Sequence, residues 1–449
     1  MMTAGDFKRG GVALGLGLGL ALTLAACGER EVILPGARED LRAVLNGEDQ
    51  IAAEAPPENR VEAIKLPAAT TNASWTQSAG SPATRVSHPA YSGALQPIWN
   101  ANIGSAAGAR SRITADPVVA GGRIYTLDAQ AGVSATATNG TPVWQVDLVP
   151  PRDRGKEATG GGLAIANGTL FVTSGFGVLT ALDAATGAQK WQQKLAADAT
   201  GAPTVKNGVV FLVAGDSTAW AVDAETGRIK WQFDTTQSRN NILGAPAPAI
   251  NDQVAIFGFG SGELQAAFRG GGFKVWDAVL SGQRPAIARS RVTGITGDPV
   301  IVGNTVYAGT QAGRLVALKA STGERVWTAR EGVMGTVWVA GGSVFFISDR
   351  NELERVSAED GSRIWAVNLP LFVKDRPRRQ KEIYYHHGPV LAGGKLIVAS
   401  TDGMIRAFDP TSGKLIGTGE IPGGAATAPV FAGGVMYIVS KKGALYAYR

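Results

Sequence analysis

The chain predicts an all-β fold, an eight-bladed β-propeller of four-stranded antiparallel blades closed by an N-terminal strand. Three observations carry that prediction. A hairpin signal occurs eight times; a Gly-x-x-x-Trp pattern follows most copies; and an unassigned tryptophan near the N-terminus supplies a strand that the C-terminus lacks.

The hairpin dipeptides are Gly121-Gly122, Asn167-Gly168, Asn207-Gly208, Asn251-Asp252, Gly303-Asn304, Gly341-Gly342, Gly393-Gly394 and Gly433-Gly434, spaced 38 to 52 residues apart. Each separates a Pro-Val-like run from an alternating aliphatic run, where a two-residue turn requires positive φ. A unit of this length holding four short strands is the mark of a propeller.

One unit shows the logic. Residues 202–205, 209–213, 219–222 and 229–233 are short apolar runs rich in β-branched and aromatic side chains, too short for helices. The third and fourth are joined by Asp223-Ala224-Glu225-Thr226-Gly227, where Asp accepts from the following amides and Gly closes the turn. The connection recurs from Asp183 to Gly187 and from Asp409 to Gly413, with Lys319 in the Asp place before Gly323.

The tryptophans of the second mark follow Gly140, Gly187, Gly227, Gly272, Gly323 and Gly361, as Trp144, Trp191, Trp231, Trp276, Trp327 and Trp365. On outermost strands, such rings are expected to wedge between neighbouring blades, burial worth roughly 2–3 kcal/mol each. After Gly433-Gly434 only residues 435–449 remain, enough for two strands. The missing fourth is expected at 95–101, around Trp99, so that the ring closes without an open edge. The weakest unit is that of Gly393-Gly394, where Gly417 stands in the Trp position.

The N-terminus predicts the compartment. Lys8 and Arg9 precede an apolar stretch at 11–21, too short for a convincing membrane span. Leu24-Ala25-Ala26-Cys27 looks like a bacterial lipobox, giving a signal peptide over 1–26 and lipid on Cys27. Cys27 is the only cysteine, which excludes a disulfide or a cysteine metal site within the chain. Gly28 follows it, with none of the Asp character that retains lipoproteins at the inner membrane; outer-membrane attachment facing the periplasm is expected. Residues 27–71 read as lipidated Cys and flexible tether, with one short helix at 38–45, and 72–449 as the propeller.

Composition agrees. Sixty glycines and 45% hydrophobic residues suit tight turns around a large β core, and a net charge of +6 gives no case for nucleic acid. Basic residues gather in two long insertions: Lys374, Arg376, Arg378, Arg379 and Lys381 in one, Arg284, Arg289 and Arg291 in the other. Three histidines, His88, His386 and His387, make no ligand spacing, and adjacent strand residues point to opposite faces. No catalytic, cofactor-binding or metal-ligating residue is assigned, and no cofactor is expected.

The repeat Ala-Leu-Asp-Ala-x-Thr-Gly-x-x-x-Trp, at 181–191 and with Val222 at 221–231, resembles that of pyrroloquinoline-quinone enzymes. Joined to a lipobox and a short tether, it resembles the BamB family of non-enzymatic outer-membrane assembly lipoproteins across the mature chain. Leu34-Pro35-Gly36-x-Arg38 and Trp75-Thr76-Gln77 are similar to its alphaproteobacterial members. The resemblance implies a scaffold in the BAM complex, docking on the periplasmic POTRA domains of BamA and assisting insertion of β-barrel proteins, with unfolded barrel clients as further partners. It places docking at Arg239, Asn241, Ile242 and Leu243, and at Arg289, Arg291 and Asp298. The sequence departs from the family pattern there, with Gly244 in an Arg place and Asp298 as one acid in place of two. Two other readings stand beside it. One is a generic periplasmic propeller binding protein or cell wall. The other is a quinoprotein dehydrogenase, which needs vicinal cysteines that this chain lacks.

Overall fold

The computed structural model describes residues 58–84, 88–237, 244–280 and 292–449. Within them, 32 strands form eight four-stranded antiparallel sheets, the propeller expected. Blades 1 to 7 are each built from consecutive strands, spanning 118–147, 161–194, 204–234, 249–279, 300–329, 338–368 and 386–420. Blade 8 takes three strands from 430–448 and its outermost strand from Pro97–Asn102, paired antiparallel to Ala444–Tyr448. The expected closing segment is therefore in place, shifted two residues along at its start.

The turns follow the sequence with two exceptions. Gly121 and Gly122, or Asn167 and Gly168, both hold positive φ, as their hairpins demand. Gly303 does so without Asn304. Asn251-Asp252 corrects the expectation: neither residue has positive φ. There the Asn251 side-chain carbonyl accepts from the amides of Gln253 and Val254, both at 2.8 Å, and the side chain builds the turn.

The Gly-x-x-x-Trp spacing has a structural cause. In blades 1 to 6, a one-residue bulge between the third and fourth strands falls just before the tryptophan; Ala221 faces Trp231 and Val222 faces Ile229, leaving Lys230 unmatched. A bulge re-aims the side chain that follows it. Each ring is thereby brought against the glycine that closes the third turn of the next blade, as Trp144 is against Gly187 and Trp191 against Gly227. Its indole N–H donates into that same turn, from Trp191 Nε1 to Ala224 O at 3.1 Å and from Trp231 Nε1 to Arg269 O at 3.0 Å. Seven of the eight junctions are thus locked by one ring, one glycine and one hydrogen bond each.

Residues 58–93 do more than lead in. Val119 and Trp75 exchange backbone bonds of 2.7 and 2.8 Å, and Ile165, Ile250 and Ile301 donate to the carbonyls of Thr76, Pro82 and Ala83. Val205 N donates to Gln77 Oε1 at 2.7 Å, Gly393 N to Pro89 O and Gly433 N to Asn72 O. The Trp75 ring stacks on Trp338 of blade 6, centroids 6.4 Å apart. The segment so reaches the innermost strand of every blade, pairing backbone groups that face the axis and would otherwise be orphaned. The tether expected over 27–71 is described from residue 58 onward, and from there it is hydrogen-bonded to the body: Arg60 N to Ile364 O, and Arg355 Nη1 to Glu62 O at 2.7 Å.

Candidate functional site

Among the described residues, the connections between a fourth strand and the next first strand meet around the axis of the ring. The three longest follow the strands ending at Val279, Asn368 and Asn102 and lead to those beginning at Val300, His386 and Val118. Between them opens the central channel, a cavity of about 370 Å³ with Trp75, Ser78 and Ala79 of the N-terminal segment in its lining. Its wall is close-packed backbone. A Cβ on Gly201 would lie 2.1 Å from Ala245 O, and one on Gly297 would lie 2.1 Å from Gly335 O. Glycine is required where neighbouring blades approach this near the axis.

Two carboxylates stand in that wall at equivalent places, Asp116 before Pro117 in blade 1 and Asp298 before Pro299 in blade 5. Each accepts from the preceding blade, Asp116 Oδ1 from Ala428 N at 2.8 Å and Asp298 Oδ1 from Ala247 N at 2.7 Å. Asp298 Oδ2 also accepts from Ser78 Oγ. Burial pushes the Asp116 carboxyl up to about 7, opposed by its backbone bond and reinforced by the charge of Asp298. Burial likewise raises Asp298, against the hydrogen bonds it accepts. Both act as struts between blades.

Of the residues expected to dock a partner, only Asp298 is described, and its side chain is committed to Ser78 and Ala247. Arg239, Asn241, Ile242, Leu243, Arg289 and Arg291 lie outside the described residues, as do Cys27, Arg284 and the short helix at 38–45. The second Asp-Pro-Val, at Asp116, was the sequence signal that this motif serves the channel wall.

The histidines bear out the strand argument. His386 is buried, with Nε2 donating to Pro370 O at 2.9 Å and Nδ1 accepting from Ser400 Oγ at 2.7 Å. His387 faces the channel, its ring 4.8 Å from that of Tyr385, and burial holds it down to about 3. Among the described residues, no three His, Cys, Asp or Glu side chains are grouped to hold a metal. A quinone cofactor of the dehydrogenase kind does not fit this channel: no cysteine lines it, and its carboxylates are engaged by backbone amides of adjacent blades.

The family model described as "Outer membrane protein assembly factor BamB" matches residues 129–367 and 377–449. The chain is 28% identical over 357 residues to the assembly factor BamB of Salmonella typhimurium strain LT2, covering 78% of this chain and 88% of that one. Its fold is similar to the crystal structure of BamB from Moraxella catarrhalis, with a TM-score of 0.65, 18% identity and coverage of 79% and 99%. The quinohemoprotein alcohol dehydrogenase of Comamonas testosteroni shares it at a TM-score of 0.62, with 16% identity and coverage of 85% and 81%. At those identities the solved structures speak for the fold alone. The matched sequence, spanning blades 1 to 8, shows that the chain belongs to the BamB family of outer-membrane protein assembly factors.

Proposed function

We propose that this protein is a non-enzymatic scaffold of the outer-membrane β-barrel assembly complex. It is held at the periplasmic face of the outer membrane by lipid on Cys27. It docks on the POTRA domains of BamA through the face carrying residues 239–243 and 289–298, and assists insertion of barrel clients. The observation that carries this reading is family membership, matched over residues 129–367 and 377–449. Two features support it. Among the described residues, these connections meet around the axis of the ring, a surface that suits one extended partner. The channel is furnished with structural bonds and holds no cysteine, which accords with binding in place of catalysis.

The chemistry of the docking loops fits an interface. Ile242 and Leu243 are an aliphatic pair in the same segment as Arg239, and the second segment carries Arg289 and Arg291, the residue types of apolar anchor and charged rim in protein interfaces. Affinity purification of the wild-type protein from detergent-solubilised membranes tests the proposal. Recovery of the barrel-assembly proteins is expected. Recovery of other envelope proteins alone, or of none, overturns the scaffold role in favour of a generic periplasmic propeller.

A further inference from the structure

A long hairpin joins blade 6 to blade 7, and the docking role gives it no task. Its arms are bonded from Val373 N to Glu382 O at 3.0 Å and from Tyr384 N to Leu371 O at 2.8 Å, with Phe372 bridged to Ile383. The base is pinned to the propeller: Asn351 Nδ2 donates to Pro370 O and Tyr384 O, and Tyr385 Oη to Met334 O at 2.6 Å. The tip turns through Pro377–Arg379 and carries Lys374, Arg376, Arg378, Arg379 and Lys381, all exposed, against Asp375 and the neighbouring Glu382. None of these five cations takes part in an ion pair among the described residues. Val373, an apolar side chain, is exposed beside them. A pinned hairpin thus presents five cations against two carboxylates, an excess of three positive charges at its tip.

The start of the described chain adds a direction. Asn59 exchanges side-chain bonds of 2.9 and 3.0 Å with Ala366 O and N, and Arg60 N donates to Ile364 O at 2.9 Å. The contacts run antiparallel to the strand Arg363–Asn368, so Glu58 lies toward its Asn368 end, where the hairpin begins.

We infer that the hairpin tip docks on an anionic phospholipid surface and so fixes the orientation of the propeller relative to the membrane. The inference rests on the lipid-anchor reading. Residues 27–57 span on the order of 100 Å when extended, so lipid on Cys27 alone would hold the body near a membrane without orienting it. A basic patch supplies the second contact, as in other proteins that combine an acyl chain with a polybasic segment. Each Lys or Arg close to an anionic surface strengthens binding about fivefold, and the field extends about one Debye length.

The test compares the mature chain, lipidated on Cys27, with the same chain in which Lys374, Arg376, Arg378, Arg379 and Lys381 are all replaced by Gln, so that the acyl group is common to both and to both kinds of vesicle. Vesicles of phosphatidylglycerol mixed with phosphatidylcholine, and of phosphatidylcholine alone, are the probes, read by flotation. The parent is expected to bind the anionic vesicles about a hundredfold more tightly than neutral ones. The Gln variant should lose that preference, and added salt should abolish it. Equal binding by parent and variant, or no preference of the parent for anionic vesicles, overturns the inference. If the preference for anionic vesicles is absent and the variant instead loses an assembly protein in detergent purification, the tip's occupant is an acidic protein and the membrane assignment is wrong. Salt-sensitive binding to anionic vesicles without recovery of any assembly protein would remove the scaffold reading and leave this one standing. The replaced side chains are exposed, so unfolding midpoints of the two chains should coincide.

Discussion

Leu95 sits over Gly417, its Cδ1 4.0 Å from where a Cβ would be, at the one blade junction that has no tryptophan. The reason is topological. Seven junctions seat an indole on the glycine that ends a third-to-fourth turn. Blade 8 has no such turn, because its third and fourth strands come from opposite ends of the chain. With nothing to receive a ring, Gly417 replaces it, and the chain entering the closing strand fills the space. Leu95 also lies against Gly419, where a Cβ would stand 2.5 Å from Leu95 O.

Gly417→Ala should therefore cost less than about 1 kcal/mol, since its new methyl meets ordinary contacts. Gly419→Ala, forced against backbone, should cost about 2 kcal/mol or more. Denaturant midpoints of the two variants decide this; equal loss would contradict the closure described here.

The Trp191 and Gly227 pair should behave as one unit. A Cβ on Gly227 would come 2.7 Å from Cδ2 and Cε3 of Trp191, and its φ is +73°. Trp191→Ala should cost about 2–3 kcal/mol, below the usual loss for a core tryptophan because the ring is only partly buried. Gly227→Ala should cost a similar amount, through both collision and backbone strain. With the ring already gone, only the strain remains. The double variant should then be less damaged than the sum by about 1 kcal/mol or more, and strict additivity would refute the contact.

Much of this was legible in the residues, for a physical reason. Propeller blades are set by local rules, and a positive-φ turn, an Asp that caps a connection and a bulge before Trp each leave a mark at fixed spacing. The N-terminal segment leaves none. Trp75, Thr76 and Ala83 meet the inner strands mainly through backbone atoms, which no side-chain period announces. Composition thus read 58–71 as linker. The family resemblance offers Asp298 as a docking acid, and its place in the channel wall is announced separately by Asp116-Pro117-Val118, which repeats the motif across the ring.

Asp116 gives a pH prediction. Its carboxyl is pushed up to about 7 in the folded protein, above its unfolded value, so folding favours the protonated form. The stability it supports is present at acid pH and is lost as pH rises toward 7. Asp116→Asn keeps an acceptor for Ala428 N without the charge. The variant should be more stable than wild type above pH 7, by about 1–2 kcal/mol, and should lose this advantage near pH 4. Thermal midpoints across that range test it; parallel profiles would show that Asp116 ionises freely in the channel.

Cys27→Ser should block lipid addition and leave a precursor held by its signal or mis-sorted. Labelling with a palmitate analogue reads this directly, and equal label in wild type and variant would remove Cys27 as the anchor.

The central claim is that the face bearing 239–243 and 289–298 docks a periplasmic domain of the barrel-assembly machine. Titration of purified POTRA domains of BamA against the wild-type protein and Leu243→Glu tests it most directly. A charge at the apolar anchor should weaken binding by about 2 kcal/mol or more, with the unfolding midpoint unchanged. Arg291→Glu should act more weakly and with stronger salt dependence, as charges at an interface rim do. Wild-type protein that fails to bind the POTRA domains, or Leu243→Glu protein that binds as tightly as wild type, would contradict the account.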